Sequence, residues 1–332
     1  MSFGVTQITC HPWLRFETLP LGCNEFQPRN RGSHMADLNQ IDLLLQDCNF
    51  PPSGTLHCAV SGGADSSALL ILASLTGSKV IAYHVDHGLR PNGSAERDRV
   101  AELSRRVNAG FETLILELED GPNVEARARS ARFAVLPPTV LTGHTADDQA
   151  ETIILHLLRG GGLDASAGMR PEHHPLLSLR RVDTERICEL FDWEPVNDPT
   201  NVDPRFRRNR IRHEVIPLLN EIVERDVVPL LVRAGQLAES DRDLLDELAQ
   251  DIDPTDAASL VAAPLPLARR AVRRWLRGEH PPDFASVERV LAVARGEFLG
   301  TEVAGGRSVR RSGGILRIET LPKGRRKVRD SG

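Results

Sequence analysis

Residues His57–Leu75 read HCAVSGGADSSALLILASL, and the reading of the fold turns on this stretch. A short run of small apolar residues ends in Ser61-Gly62-Gly63-Ala64-Asp65-Ser66-Ser67, and an apolar helical pattern follows at once. A tight turn between a buried strand and a helix N-terminus suits phosphate, because backbone N–H groups and the positive end of the helix dipole face an anion there. Gly62 and Gly63 let the backbone approach closely, and Ser61, Ser66 and Ser67 are candidate hydroxyl donors. The phosphate loop G-x-x-x-x-G-K-[ST] needs a lysine that is missing here. Asp65 is an odd neighbour for bare phosphate unless Mg2+ intervenes. The loop therefore points to pyrophosphate held as a leaving group, with a nucleotide cleaved between its α- and β-phosphates. A glycine turn with no ligand is the competing reading.

Outward from the loop, short apolar runs alternate with longer amphipathic ones. Strands are expected over Leu56–Val60, Lys79–Val85, Glu112–Leu118 and Thr139–Gly143. Helices are expected over Asp65–Leu75, Ser94–Val107, Asn123–Leu136 and Ala146–Leu158. This alternation predicts an α/β fold with a parallel sheet and helices on both faces. Ligands of such a sheet sit beyond the carboxyl ends of its strands, where Ser61, His87, Gly143 and His144 fall. After Gly160 the texture changes. Long amphipathic helical patterns dominate from Ile211 to about Arg295, and a tail with Gly-Gly turns alternates like a small β unit. The expected domains are 36–218, which binds nucleotide, and 219–332, mostly helical with a β tail.

The stretch NRGSHM (Asn30–Met35) has the look of a tag junction, so residues 1–35 are set aside as an expression-tag segment. Cys48, Cys58 and Cys188 are scattered and form no C-x-x-C, which fits a reducing cytoplasm without a disulfide framework or zinc site. No apolar run approaches the roughly 20 residues that cross a bilayer, so no membrane partner is expected. Net charge is −5, which argues against indiscriminate nucleic-acid binding while leaving room for a local basic face. Lysine occurs only at Lys79, Lys323 and Lys327, and the surplus of arginine is read as genomic composition.

Asp148 and Glu151 lie three apart on one predicted helix and so share a face. With Asp65 they are candidates to gather Mg2+, chiefly on Asp65 and Asp148, and an ammonium group near the α-phosphate. Asp147, Asp148 and Glu151 also suit a helix N-terminus without any ligand. His144 is a candidate for phosphate or nucleobase contact, and Asp86 with His87 for an adenosine pocket. Arg205, Arg207, Arg208, Arg210 and Arg212 form a dense basic run interrupted by Phe206, Asn209 and Ile211. Contact with RNA phosphate, with some of these arginines packed structurally, is the favoured reading over a solvated face. Arg269, Arg270, Arg273, Arg274, Arg277 and Arg325–Arg329 are further candidates.

SGGADSS resembles the SGGxDS signature of the PP-loop ATP pyrophosphatases. HVDHGLRP (His84–Pro91), TGHTADDQAETIILHLLRGGGLDASAGM (Thr142–Met169) and DPTNVDPRFRRNRIRHEVIPLL (Asp198–Leu219) are similar, in that order, to the tRNA(Ile)-lysidine synthetases. NVEARARSARF (Asn123–Phe133) resembles another stretch of the same family. The resemblance covers roughly Leu56 to Leu219 and is looser beyond. It implies ligation of free L-lysine to C2 of the wobble cytidine in the CAU anticodon of tRNA(Ile). ATP would adenylate the C2 oxygen with release of pyrophosphate, and the lysine amine would then displace AMP. The resemblance also implies a pyrophosphate or tRNA role for Arg159 and Gly160. A homodimer is neither required nor excluded by the sequence. The rivals are a PP-loop tRNA thiolase, disfavoured by the lack of paired cysteines, and an amide- or nucleotide-forming synthetase, which has no evident need of the DPTN…RNRIR stretch.

Overall fold

The structure is a computed structural model and describes residues 16–18, 40–86, 93–116, 134–197, 203–278 and 281–320. Residues 1–236 and 237–332 form two compact units. The first is built on the strands β1 (Phe16–Thr18), β2 (Thr55–Ala59), β3 (Lys79–Asp86) and β4 (Gly110–Ile115). Their spatial order is β1-β4-β3-β2. β2, β3 and β4 are parallel, with Leu56 opposite Val80 and Val85 opposite Leu114. β1, from the segment set aside above, pairs antiparallel with β4. The free edge of β4 offers unpaired N–H and C=O groups that an extended segment can satisfy.

Helices flank this sheet: α1 (residues 40–46), α2 (Ala64–Leu75), α3 (Gly93–Arg106), α4 (Ala146–Leu157) and α5 (Arg181–Leu190). α2 is buried from Ser66 through Ala73. A helix apolar on every side belongs inside, and this one is the centre of the core with Leu56, Cys58, Val60, Leu103 and Ile187. Beyond α5 the chain forms one helix, α6, from Arg207–Arg210, a π-turn over Ile211–Val215, and Ile216–Val223. α7 (Val228–Leu248) follows. Ile211, Ile216, Val227 and Val228 pack with Ala146, Ala150 and Ile154 of α4. This packing ties the chain past Leu219 to the nucleotide-binding unit, so the compact unit runs on to residue 236 rather than stopping at 218.

One sequence expectation changes. The fourth strand, Thr139–Gly143, is reduced to a single parallel bridge between Leu141 and Cys58. Its hydrogen bonds are Ala59 N–H to Leu141 C=O at 2.9 Å and Leu141 N–H to His57 C=O at 2.7 Å. Pro137 and Pro138 lack N–H groups, and the Thr142 N–H turns instead to the His173 carbonyl, so pairing cannot spread either way. Most of the third helix, like His87, lies outside the described residues. The bridged segment nevertheless sits on the side of β2 away from β3. Strand order therefore reverses at β2, and such a reversal assigns the ligand crevice of a parallel sheet to the carboxyl ends of β2 and Leu141.

The second unit packs α8 (Ala257–Ala262), α9 (Leu265–Leu276) and α10 (Phe284–Arg295) with an antiparallel sheet in the order β5-β6-β7. The strands are Gly300–Val303, Arg307–Ser312 and Ile315–Thr320. Ala271, Val272, Leu276, Val290, Val309 and Leu316 are at its centre. Among the described residues, no helix is long and apolar enough to cross a membrane.

The closest backbone approach in the crevice is at Gly143. A Cβ there would lie 2.4 Å from the Asp65 carbonyl oxygen and 2.7 Å from its carbon. Gly143→Ala should lower stability by about 1–3 kcal/mol, the usual range for overpacking. Urea unfolding will read this as a lower midpoint; an unchanged midpoint would remove the constraint.

Candidate active site

The turn after β2 is held by its own side chains. Gly62 has φ +94°, a backbone conformation that favours glycine, and its carbonyl accepts the Val196 N–H at 2.9 Å. The Ser66 hydroxyl donates to the Gly63 carbonyl at 3.0 Å and accepts the Ser61 N–H at 3.2 Å. Ser67, fully buried, donates to the Gly62 carbonyl at 3.2 Å. Ser66 and Ser67 thus shape the turn, and of the three serines only Ser61 is exposed. Gly63 caps α2, whose first N–H groups have no acceptor within the helix.

Asp65 stands in the first turn of α2, with its side chain 29% exposed. Its Oδ1 accepts the Thr184 hydroxyl, and its Oδ2 lies 3.5 Å from Arg181 Nε. Burial raises the Asp65 carboxyl above its ordinary range; the Thr184 hydrogen bond and the Arg181 charge oppose this without cancelling it. Thr184, Ile187 and Cys188 form the buried stripe of α5, and Arg181 lies one turn ahead of Thr184 on the same side. Packing this stripe on α2 delivers Arg181 and Thr184 to Asp65. Both escaped the sequence analysis. No motif marks them, and only the spacing of Arg181, Thr184 and Cys188 hints at a shared face.

α4 supplies the other carboxylates. Asp148 closes a capping box, its Oδ2 accepting the Thr145 N–H at 2.9 Å and the Thr145 hydroxyl at 3.1 Å. Its Oδ1 lies 3.2 Å from Arg181 Nη2, 3.1 Å from Arg208 Nη2 and 3.4 Å from Arg212 Nη2. Burial pushes this carboxyl up, but the Arg208 and Arg181 charges, the Thr145 N–H and nearby His144 outweigh it and hold Asp148 below the usual range. The Glu151 side chain is 0% exposed. Its Oε2 accepts from Arg208 Nε at 2.6 Å and its Oε1 from Arg212 Nε at 2.6 Å, with Arg181 Nη1 at 3.7 Å. Three carboxylates and three guanidiniums therefore meet at one point. Asp147 points elsewhere and grips Arg180 through Nε at 3.0 Å and Nη2 at 2.9 Å, while accepting the Arg181 N–H at 2.8 Å.

The basic run splits. Arg208 and Arg212, carried on either side of the start of the π-turn, face inward to Glu151 and Asp148. Arg205 is 85% exposed and pairs with Asp203, and Arg207 is exposed. The assignment of Arg208 and Arg212 to RNA phosphate is thus corrected: both are committed to buried carboxylates. Arg159 and Gly160 are exposed at the far end of α4, about 16 Å from Asp148 at 1.5 Å per residue. They are not brought to the turn after β2.

Magnesium wants near-octahedral oxygen ligands at about 2.1 Å. Both Asp148 oxygens are taken, one Asp65 oxygen is bound to Thr184, and three guanidiniums already supply positive charge. As arranged, Asp65 and Asp148 do not fit a Mg2+ ion between them. Among the described residues, no group of three or more His, Cys, Asp and Glu side chains is placed to hold a metal.

This crevice is that of a nucleotide-binding α/β domain, and the family described as PP-loop domain matches residues 36–219, implying ATP as the nucleotide. The tRNA(Ile)-lysidine synthase of Nocardia farcinica is 37% identical over 270 residues, 75% of this chain and 85% of that protein. Those of Rhodococcus jostii and Cutibacterium acnes are 35% and 34% identical, covering 74% and 79% of this chain and 82% and 90% of theirs. The chain belongs to the tRNA(Ile)-lysidine synthase family, ATP-dependent ligases that form a C–N bond and modify tRNA.

The hydrogen bonds from the Arg180 side chain and the Arg181 N–H outweigh burial and hold Asp147 below the usual carboxylate range. A depressed folded pKa stabilises above the unfolded value of about 3.9, and that stabilisation is lost as pH falls through the folded value. Asp147→Asn should therefore cost about 2 kcal/mol at neutral pH. The difference from wild type should shrink as pH falls below the unfolded value and through the lower folded one. Urea midpoints across this range check it; a constant difference would contradict the ion-pair account.

Proposed function

We propose that the chain ligates free L-lysine to C2 of the wobble cytidine in the CAU anticodon of tRNA(Ile), using ATP to adenylate the C2 oxygen. Pyrophosphate leaves first and AMP second, and the modified tRNA reads AUA. One observation carries this reading: a phosphate turn without lysine and a desolvated group of three carboxylates share a single crevice. The turn suits the outgoing pyrophosphate through N–H groups and the α2 dipole. The carboxylates suit a cationic nucleophile. Adenylation converts a poor leaving oxygen into a good one, and preorganised charge supports that step.

Asp65, the least committed of the three carboxylates, faces the amine and the phosphates, while Asp148 and Glu151 with their arginines form its buried backing. Outward Arg205 and Arg207 take RNA phosphate. In the second unit Arg310 and Arg317 are direct cross-strand partners on an exposed face. Like charges so placed destabilise a strand pair; Glu319, 3.6 Å from Arg310, offsets this in part, and an RNA phosphate would add to it. Sulfur transfer, the rival, needs a thiolate. Burial pushes the thiols of Cys48, Cys58 and Cys188 up to about 12, and each is therefore protonated at neutral pH.

With tRNA(Ile) transcript, ATP, Mg2+ and labelled lysine, label should enter the tRNA with AMP release that depends on both lysine and tRNA. Asp65→Ala should cut ATP–pyrophosphate exchange at least about 100-fold, in the range for losing a preorganised charge, while tRNA binding persists. Near-normal exchange in that variant would contradict the site. Arg205→Ala with Arg207→Ala should weaken tRNA binding and lower the slope of log affinity against log salt by about 1–2. An unchanged slope would return both arginines to a solvated surface.

A further inference from the structure

Beyond the carboxylate cluster, the mouth of the crevice holds an arrangement of histidines that the reading above leaves unused. Thr142 Oγ1 lies 2.6 Å from His144 Nδ1 and 2.6 Å from His174 Nδ1. The rings meet edge to face with centroids 4.7 Å apart. The hydroxyl is buried, whereas both rings are only half-buried. The turn bearing His174 is stitched to the bridged segment on both sides of Leu141. Thr142 N–H donates to the His173 carbonyl at 2.9 Å, and His173 Nδ1 lies 3.2 Å from the Val140 carbonyl.

A hydroxyl carries a single hydrogen. With both rings neutral, the hydroxyl oxygen can accept Nδ1–H from one imidazole while its hydrogen is donated to Nδ1 of the other. In that arrangement the two rings are opposite tautomers linked through one oxygen, which is what a proton needs to cross between them.

Lysine ligation requires a base. The lysine side chain is an ammonium at neutral pH, with an ordinary pKa near 10.4, and has no lone pair to attack with until it loses a proton. Guanidiniums accept no proton. Asp148 and Glu151 have their oxygens occupied by arginines and Thr145, and Asp65 accepts the Thr184 hydroxyl through Oδ1 while its Oδ2 faces Arg181. Imidazole is the neighbouring base whose ordinary pKa lies nearest neutrality. His144 sits between Gly143, pressed on the Asp65 backbone, and Thr145, bonded to Asp148.

We propose that His144, Thr142 and His174 form a proton relay that carries the proton of the incoming amine to solvent. The proposal rests on the lysine-ligation reading. His144 Nε2 takes a proton from the ammonium, and the freed electron pair on nitrogen attacks the activated C2 while the C2–O bond breaks and AMP leaves with its electron pair. His144 Nδ1–H passes its proton to Thr142 Oγ1 as the Thr142 hydroxyl hydrogen passes to His174 Nδ1, and His174 Nε2–H releases a proton to water. One N–H bond of the ammonium breaks and its proton appears in solvent; the nitrogen joined to C2 loses its second proton to water, and exchange with solvent returns both rings to their starting tautomers. His144 touches substrate; Thr142 and His174 act through it.

The test reads two half-reactions of the full chain with tRNA(Ile) transcript: ATP–pyrophosphate exchange and transfer of labelled lysine. In His174→Ala, transfer should fall about 100-fold more than exchange, the lower range for losing acid–base assistance. Free imidazole should restore much of the transfer. His174→Asn keeps an acceptor for the Thr142 hydroxyl but relays no proton, so it should show the same selective loss with a wild-type urea midpoint and no rescue. Equal loss in both half-reactions, wild-type transfer, or no imidazole rescue of His174→Ala would overturn the relay. If the unmodified chain itself transfers no lysine while exchanging pyrophosphate, the ligation reading fails and the relay falls with it.

Discussion

Three carboxylates occupy one point in this protein only because three guanidiniums stand among them. Asp65, Asp148 and Glu151 come from two helices, and Arg181, Arg208 and Arg212 from two others. Without the arginines, like charges this close and this dry would take up protons. With them, the cluster is neutral in sum and its members stay desolvated and oriented. Under the proposed function, an incoming cation would meet carboxylates whose water has already been removed. It would compete with arginine for them, so the nucleophile would be selected by exchange of one cation for another rather than by filling an empty anionic hole.

The cluster depends in turn on backbone contacts. Gly143 presses against Asp65 so closely that no side chain fits, and this fuses the phosphate turn to the start of α4. The Leu141–Cys58 bridge places the two turns side by side at the point where strand order reverses. α5 closes the third side through its buried stripe, and the packing of α6 on α4 closes the fourth. Asp147 joins two of these walls by holding the backbone of Arg181. A buried ion cluster of this kind needs all four walls, because each supplies charges the others would leave unpaired.

Much of this was legible in local sequence. The SGGADSS turn, the strand and helix after it, and the Asp148–Glu151 face of α4 follow from patterns a few residues long. Each rests on backbone geometry or helical spacing, which are local properties. The mixed character of the basic run, part packed and part exposed, was available from the apolar residues between its arginines. Which arginine goes where was not. Arg208 and Arg212 face inward because the helix that carries them packs on α4, and no property of RRNRIR states that. Ser67 looked like a phosphate donor and is instead fully buried against the Gly62 carbonyl. The fourth strand carried a β-like pattern, but two prolines and the His173 carbonyl confined its pairing to a single bridge.

By itself, the sequence determined a lysine-free phosphate turn at the head of a buried helix, a parallel α/β frame and a carboxylate-bearing helix start. These depend on φ preferences, alternation and caps, which act over a few residues. Tertiary structure alone decided that Arg181 and Thr184 meet Asp65, that two RNA candidates are spent on buried carboxylates, and that one hydroxyl joins two imidazoles. Those contacts link residues dozens to more than a hundred positions apart. Electrostatic complementarity between such distant groups exists only once burial has brought them together and removed the water between them.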